Sequence, residues 1–267
     1  MTTEASNKQK RITLRIGRNT LAFAMLDDEG NIAYEPYVVK SGVSMAANLR
    51  EAFKNSDMLP DAPPRARVMI DSPVLLMPVE LFDEQLMQQL HSHSFPSQEQ
   101  DMALYNVLPD LNAVAVFTIN KDLKLVLDDH FQDVRFVTAI SPVWRYLHQR
   151  SFIGPRNKLY GYFHEKRLEV FSFQQNRFKF CNSFEAKHAY NALYFLLYVW
   201  KQLQLQPEFD ELHIVGDIPE RDWLVAELRK YLQKAYVINP SADFNRAPVT
   251  EIKSMPYDLQ TLFVKGR

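Results

Sequence analysis

The sequence has few of the residues from which phosphate-binding loops are built. Only seven glycines occur in 267 residues, well below an average usage of about 7%. Neither G-x-x-x-x-G-K-[ST] nor G-x-G-x-x-G occurs, and these are the two common glycine-rich loops that hold nucleotide phosphates. This scarcity excludes a P-loop NTPase or a dinucleotide-binding enzyme of the usual sequence type.

Cysteine, net charge and long apolar runs are also scarce. Cys181 is the single cysteine, which excludes an intrachain disulfide and a C-x-x-C redox pair and suits a reducing compartment. The 31 basic and 32 acidic side chains leave a formal charge of −1, so the charge excess typical of a general nucleic-acid binder is missing. We therefore expect no nucleic-acid partner and no metal site built on cysteines.

No segment has the length and composition of a membrane span or a signal peptide. The longest largely apolar run, Ala189–Trp200, has 12 residues, whereas a bilayer takes about 20. The start, Met1–Arg11, is polar and has no apolar signal segment. These two observations predict a cytoplasmic protein without a membrane span. With 46% hydrophobic and 24% charged residues, the chain has the composition of a folded globular protein.

The first half of the sequence predicts a β-meander followed by alternating helices and strands. Alternation of apolar and polar residues indicates three strands, and an apolar spacing close to the helical period then indicates a helix with Ser44 as its N-cap. An insertion at about 71–112 contains a predicted edge strand at Val74–Met77 and a predicted helix at Leu81–His91. The other elements of this half are strands at Arg11–Gly17, Thr20–Leu26, Ile32–Val39, Ala66–Ile70, Ala113–Ile119 and Val134–Ile140, and helices at Val43–Phe53, Leu123–Phe131 and Pro142–Arg150.

The same order of elements restarts after Gly154-Pro155. We predict strands at Lys158–Phe163, Leu168–Phe173, Phe178–Ser183, Glu211–Val215 and Ala235–Ile238, and helices at about Ala186–Leu205 and Glu220–Leu232. The fold class is therefore α/β, with two tandem βββαβαβ units. The first domain is predicted at 1–153 and the second at 154–267. The tail, Ala247–Phe263, is predicted to hold one strand and one short helix, and it is a candidate to return to the first domain.

Two tandem βββαβαβ units resemble the actin, sugar-kinase and heat-shock-chaperone ATPases, which share a ribonuclease H-like fold. Three strings make the resemblance closer to an uncharacterised bacterial family, a domain of unknown function with an actin-like ATPase fold. These strings are Leu14-Arg15-Ile16-Gly17, the segment Pro73–Phe82 (PVLLMPVELF) and the segment Tyr105–Pro109 (YNVLP). The resemblance implies a nucleotide cleft between the two domains.

The superfamily's nucleotide motifs are degenerate in this chain. The resemblance implies an Asp-x-Gly beside Mg²⁺ in the first hairpin, where this sequence has Arg15-Ile16-Gly17. It implies a second Asp-x-Gly-Gly turn, where the segment 162–167 reads YFHEKR and has neither Asp nor Gly. The third motif, a strand followed by Gly-Gly and a helix, is half present at Gly216. An Arg repels Mg²⁺, although it can hold a phosphate directly.

Two further features have more than one interpretation. The aromatic residues of the helix at Ala186–Leu205 cover more than one face, which is typical either of a partner-docking helix or of a core helix that covers the sheet. His91 and His93 lie two apart near a helix end, so they cannot share a metal ion on that helix. We interpret them as a solvated helix terminus.

We therefore predict a non-catalytic actin-like scaffold that acts through an unidentified protein partner, without a cofactor, catalytic residues or a metal site. The alternative is a divergent nucleotide-binding protein or phosphotransferase. In that case Arg15, Gly17 and Gly216 would line the inter-domain cleft and hold ATP, with Mg²⁺ as its counter-ion.

Overall fold

The computed structural model describes residues 11–27, 29–60 and 62–264, and these residues form two compact units. Of the described residues, those up to Val107 and those at Val114–Ser141 form unit 1, whereas those at Leu108–Ala113 and those from Pro142 onward form unit 2. The division at Ser141 lies earlier in the chain than the predicted boundary at 153, because the helix that follows Ser141 groups with unit 2.

Unit 1 contains a mixed five-stranded sheet in the order β3-β2-β1-β4-β8. The first three strands form the predicted antiparallel meander, and β4 and β8 join it in parallel. The elements are β1 (Ile12–Ile16), β2 (Leu21–Leu26), β3 (Ile32–Tyr37), α1 (Met45–Asn55), β4 (Arg65–Ile70), β5 (Leu75–Pro78), α2 (Met87–Ser94), β6 (Met102–Leu108), β7 (Ala113–Ile119), α3 (Lys121–His130) and β8 (Asp133–Thr138).

The core of unit 1 lies between one face of this sheet and helices α1 and α3. Alternate residues of β1, such as Leu14, point into it and meet Leu49 of α1 and Leu127 of α3. The helix starts follow from their caps, because the hydroxyl of Ser44 accepts from the backbone of α1 and the side chain of Asn120 accepts from that of α3. The predicted N-cap at Ser44 is therefore present.

Two strands of the insertion, β5 and β6, form a separate small sheet with β7, in the order β5-β7-β6. The strand predicted at Ala113–Ile119 belongs to this sheet, and β6 was not predicted. The helix expected at Leu81–His91 is replaced by a 3₁₀ turn at Val79–Leu81 and the later helix α2. His91 is buried rather than solvated, and its Nε2 lies 3.1 Å from the carbonyl oxygen of Pro73.

Unit 2 repeats the arrangement with a five-stranded sheet in the order β11-β10-β9-β12-β13. The predicted second βββαβαβ unit is present, but the tail at 247–264 contains a 3₁₀ turn at Pro248–Glu251 and a helix, without the predicted strand. The elements are α4 (Ser141–Ser151), β9 (Lys158–His164), β10 (Arg167–Gln174), β11 (Arg177–Glu185), α5 (Ala189–Gln202), β12 (Glu211–Gly216), α6 (Arg221–Tyr231), β13 (Ala235–Val237), α7 (Pro240–Asp243) and α8 (Tyr257–Phe263).

The two faces of the sheet of unit 2 differ in composition. One face packs on α5 and α6 through aliphatic side chains such as Leu196 and Leu228. The other face is aromatic and polar, and there the hydroxyl of Tyr162 donates to Asp258 of α8 across 3.1 Å. The C-terminal helix α8 is thereby fixed to unit 2. In the described residues, no helix is long and apolar enough to cross a membrane.

Candidate functional site

Arg15 lies near the end of β1 and is buried, with 2% of its surface exposed. Its guanidinium donates a hydrogen bond to the hydroxyl of Thr20 across 2.9 Å, and the N–H of Gly17 donates to the Thr20 carbonyl across 2.8 Å. In register, Arg15 stands between Ala22 of β2 and Met69 of β4. Arg15 and Gly17 therefore share one turn, and the cation is built into that turn.

This turn does not fit the Mg²⁺ ion that the resemblance implies. A hard divalent cation requires oxygen ligands, and the side chain at position 15 presents a permanent positive charge instead. Across the residues that the structure describes, no group of three or more His, Cys, Asp and Glu side chains is placed to hold a metal ion. The first turn therefore gives no basis for a metal-assisted step.

The second turn, between β9 and β10, also differs from a glycine turn. Glu165 and Lys166 have φ angles of 44° and 64°, a left-handed conformation that costs a residue with a Cβ about 1–2 kcal/mol. Beside it, the carboxylate of Glu169 accepts hydrogen bonds of 2.7 Å from both Arg167 and Ser183. This turn therefore has residues with side chains where the superfamily motif has glycines, whose backbone N–H groups can approach a phosphate closely.

Gly216 ends β12, and its identity has a packing reason. Its φ is +98°, and a Cβ there would lie 2.0 Å from the carbonyl oxygen of Phe163. The same carbonyl accepts a 2.9 Å hydrogen bond from the N–H of Asp217. Only glycine allows this close approach of β12 to β9, so the residue needs no ligand to explain it.

Gly216 nevertheless lines a pocket of about 480 Å³ in unit 2. The pocket lies at the carboxyl ends of β12 and β13, beside the start of α6 and the start of α8. Its polar lining includes Arg221, Asn239 and Lys253, and the buried Oε1 of Gln260 has no hydrogen-bond partner within the described part of the chain. This volume and polarity suit a small polar ligand.

The three residues predicted for nucleotide binding are thus divided between the units. Arg15 and Gly17 lie in unit 1, whereas Gly216 lies in unit 2. The sequence reading missed Arg221, Asn239 and Lys253. A signal for Asn239 was available, because Asn-Pro directly follows a predicted strand, and the carboxyl ends of neighbouring parallel strands meet at one edge of a sheet.

Helix α5 presents three exposed tyrosines on one side. Tyr190, Tyr194 and Tyr198 are 71%, 59% and 48% exposed, and residues four apart share one face of a helix. The rings of Tyr194 and Tyr198 stack with their centroids 5.9 Å apart. We call these three residues the tyrosine face. The other side of α5 is buried in the core of unit 2, as the interpretation of a core helix that covers the sheet predicts.

The family and the fold follow from comparison with known proteins. A family profile described as "Protein of unknown function (DUF3822)" matches residues 2–235. A structure from Bacteroides thetaiotaomicron VPI-5482, described as a protein with an actin-like ATPase fold and unknown function, is 27% identical over 100% of both chains, with a TM-score of 0.85. A PilM–PilN type IV pilus biogenesis complex is 12% identical over 95% of this chain and 97% of that chain, with a TM-score of 0.57. No curated protein matches the sequence. The predicted actin-like ATPase fold is therefore confirmed.

Proposed function

Since this chain belongs to the family described as protein of unknown function DUF3822 and has the actin-like ATPase fold, we propose that it acts as a non-catalytic protein-interaction module. The main support is Arg15. Where the ATPases of this superfamily have a carboxylate, this chain has a buried guanidinium bonded to Thr20. A cation at that point disfavours Mg²⁺ and with it the transfer of a phosphoryl group. The single cysteine suits the cytoplasmic location that forms part of this proposal.

The fold is compatible with such a role by analogy. The PilM–PilN structure is described as a complex for type IV pilus biogenesis, so a protein of this fold takes part in an assembly with another protein. Because one fold serves many functions, this likeness supports an interaction role for the present chain only as an analogy. The surface of the chain itself has to indicate where a partner binds.

The tyrosine face is the proposed contact surface. Exposed tyrosines provide large apolar area together with a polar hydroxyl, and tyrosine is enriched at protein interfaces. Helix α5 contains no Asp or Glu, Lys187 precedes it and Lys201 lies in its last turn. Charge complementarity therefore favours a partner segment that places acidic residues on both sides of apolar or aromatic side chains.

A cross-linking experiment tests this surface. A photoreactive residue at position 194 is expected to capture one partner in stoichiometric yield from the native cell, and an acidic segment of that partner should contain the cross-link. Tyr194→Ser combined with Tyr198→Ser should abolish the complex, and added salt should weaken it. Tyr231→Ser is the matched control, since Tyr231 is an exposed aromatic residue on the neighbouring helix α6. Retention of the complex by the double variant would contradict the proposed surface, and so would a tyrosine-dependent homodimer in sedimentation analysis.

Nucleotide binding without turnover is the second candidate function, and the pocket of about 480 Å³ at Gly216 favours it. A thermal melt with Mg-ATP and with ADP separates the two candidates. A ligand at 100 times its Kd adds about 2.7 kcal/mol to stability, which raises Tm by several degrees in a chain of this size. If the chain is an interaction module that binds no nucleotide, its Tm should be the same with and without nucleotide. A rise in Tm that Lys253→Gln removes would instead support a nucleotide in this pocket.

A further inference from the structure

A second pocket in unit 2 lies at the opposite end of the sheet from Gly216. The segment between α4 and β9 and the turn between β10 and β11 form its walls. In the parallel pair of β9 and β12, Lys158 stands beside Glu211 at one end and Phe163 beside Gly216 at the other. Its volume of about 290 Å³ lies at the lower limit of small-molecule pockets, about 300–1,000 Å³. An occupant must therefore be small.

The charged residues that line this pocket all carry positive charge. They are Arg156, Lys158 and Lys179, and no Asp or Glu is among the lining residues that the structure describes. The amides of Gln174 and Gln175 supply further hydrogen-bond donors at the same surface, whereas the amide of Asn157 already donates to the carboxylate of Asp210 across 3.0 Å. A concave site with three cations and two such amides has the chemistry of an anion site.

Lys158 is the most informative of these residues because it is buried at the first position of β9. Its ammonium group donates to the carbonyl oxygens of Ser151 and Ile153, at 3.2 and 2.5 Å. An ammonium group has three N–H donors, so these two neutral acceptors leave one donor for a further partner and bring no negative charge into contact with the ammonium group. Burial of a charge without a partner is costly, and a bound anion would remove that cost.

The neighbouring charges do not balance this lysine. Burial lowers the pKa of Lys158; the carboxylate of Glu211 opposes that shift, while the charges of Arg150 and Arg156 add to it. Glu211 is itself already engaged, because Arg156 donates to it across 3.2 Å and His213 lies 3.0 Å away. Glu211 and Arg156 thus offset each other, and the two lysines supply the positive charge that a phosphate anion would meet near neutral pH.

We propose that this pocket binds a small phosphate-bearing anion, with Lys158, Lys179 and Arg156 as its charged ligands. Lys158 supplies a fixed charge at the base of the site, since the strand and the two carbonyls hold it in place. Lys179 and Arg156 are exposed at its rim and close on the anion from the solvent side. The site is independent of the interaction surface on α5 and of the pocket at Gly216.

Calorimetric titration with inorganic phosphate, at an ionic strength held constant with potassium chloride, tests this proposal. The full chain should bind one phosphate, and Lys179→Gln or Arg156→Gln should each weaken binding about tenfold, the value of one charge-assisted hydrogen bond. Both residues are exposed, so these variants should fold. Lys253→Gln is the matched control, because it removes a lysine from the pocket at Gly216 and should leave phosphate binding unchanged.

Three outcomes would overturn the proposal. The first is no phosphate binding by the wild-type chain at millimolar concentration. The second is loss of binding in Lys253→Gln with retention in Lys179→Gln, which would place the anion at Gly216. The third is that chloride and phosphate stabilise the chain equally at matched ionic strength, which would show that the effect is charge screening and not binding in the pocket. Lys158→Met adds a further check, since it should abolish phosphate binding while a thermal melt shows that the variant remains folded.

Discussion

The phenol of Tyr146 donates a hydrogen bond to the carboxylate of Asp243 across 2.6 Å. Arg150, one helical turn further along α4, lies 2.5 Å from the other carboxylate oxygen. The side chain of Asp243 is only 7% exposed, so these two donors replace most of its hydration. Burial, together with the neighbouring carboxylate, raises the pKa of Tyr146, which keeps the phenol protonated as a donor. The pair fixes α7 to α4.

We expect Tyr146→Phe to lower the free energy of unfolding by about 1.5–3 kcal/mol, the range for a hydrogen bond to a charged group. Asp243→Asn should cost at least as much, because it also leaves Arg150 without its counter-charge. Urea unfolding measures both effects. Tyr194→Phe is the control, since that hydroxyl lies on the exposed tyrosine face and its loss should leave stability unchanged. A Tyr146→Phe variant as stable as wild type would show that the short contact contributes nothing.

Two glycines with positive φ angles should respond differently to alanine. Gly216→Ala places a Cβ 2.0 Å from a backbone oxygen, whereas Gly42, with φ +80°, has open space around the same position. Gly42→Ala should cost about 1 kcal/mol from backbone strain alone. Gly216→Ala should cost at least about 1–3 kcal/mol more, because β12 and β9 must separate. Equal losses of Tm in the two variants would contradict the packing reason given for Gly216.

The meanders and alternating elements could be predicted because their apolar residues recur with the period of a strand or a helix. Apolar residues at every second position mark β1, although all five of its residues are buried, and burial close to the helical period marks α1 and α3. Strand β6 was missed because its stability comes from its neighbours. Asn106 interrupts its apolar pattern and bonds instead to the backbone of Phe136 and Thr138 on β8. Such long-range contacts leave no local sequence signal.

The candidate sites, like the fold, could be predicted from the sequence only in part. The sequence of the first hairpin shows Arg15 where the superfamily has a carboxylate. It does not show that this arginine side chain is buried and bonded to Thr20. The sequence shows Lys158 as a charged residue at the start of a largely apolar strand, but it does not show that the carbonyls of Ser151, at the end of α4, and of Ile153 hold its ammonium group. His91 was misread as solvated, because the Pro73 carbonyl that it contacts lies 18 residues earlier in the chain. Residue type could be read at each position, whereas its surroundings depend on the fold.

Arg67 and Arg135 stand side by side in register on β4 and β8, and like charges in that position repel. Burial lowers the pKa of Arg67, and the charges of Arg11 and Arg135 lower it further. We therefore expect Arg67→Met to raise the free energy of unfolding by about 0.5–1 kcal/mol at low salt, and the gain should shrink at high salt.

Arg65→Met is the matched control for this gain. Arg65 lies on the same strand but has the carboxylate of Asp133 within 3.7 Å, so its loss should give no stabilisation. The measurement is chemical unfolding of the three proteins at two salt concentrations. If Arg67→Met destabilises the chain at both concentrations, then packing of the arginine stem outweighs the repulsion.

Stability should decrease as the pH falls below about 6.5, and His91 should account for part of this change. His91 is fully buried, and its Nδ1 has no hydrogen-bond partner among the described residues. Burial lowers its pKa below the ordinary value of 6.5, so the unfolded chain takes up a proton at a higher pH than the folded chain. The contribution is complete above pH 6.5 and is lost below it, at no more than about 1.4 kcal/mol per pH unit.

His91→Gln removes this term, so the stability difference between wild type and His91→Gln should change between pH 7 and pH 5, with wild type losing more. The pKa of His213 is also lowered by burial, but it titrates in both proteins and cancels in the difference. His93→Gln, an exposed change on the same helix, should follow the wild-type curve. Parallel curves for wild type and His91→Gln would rule out a protonation cost at this histidine.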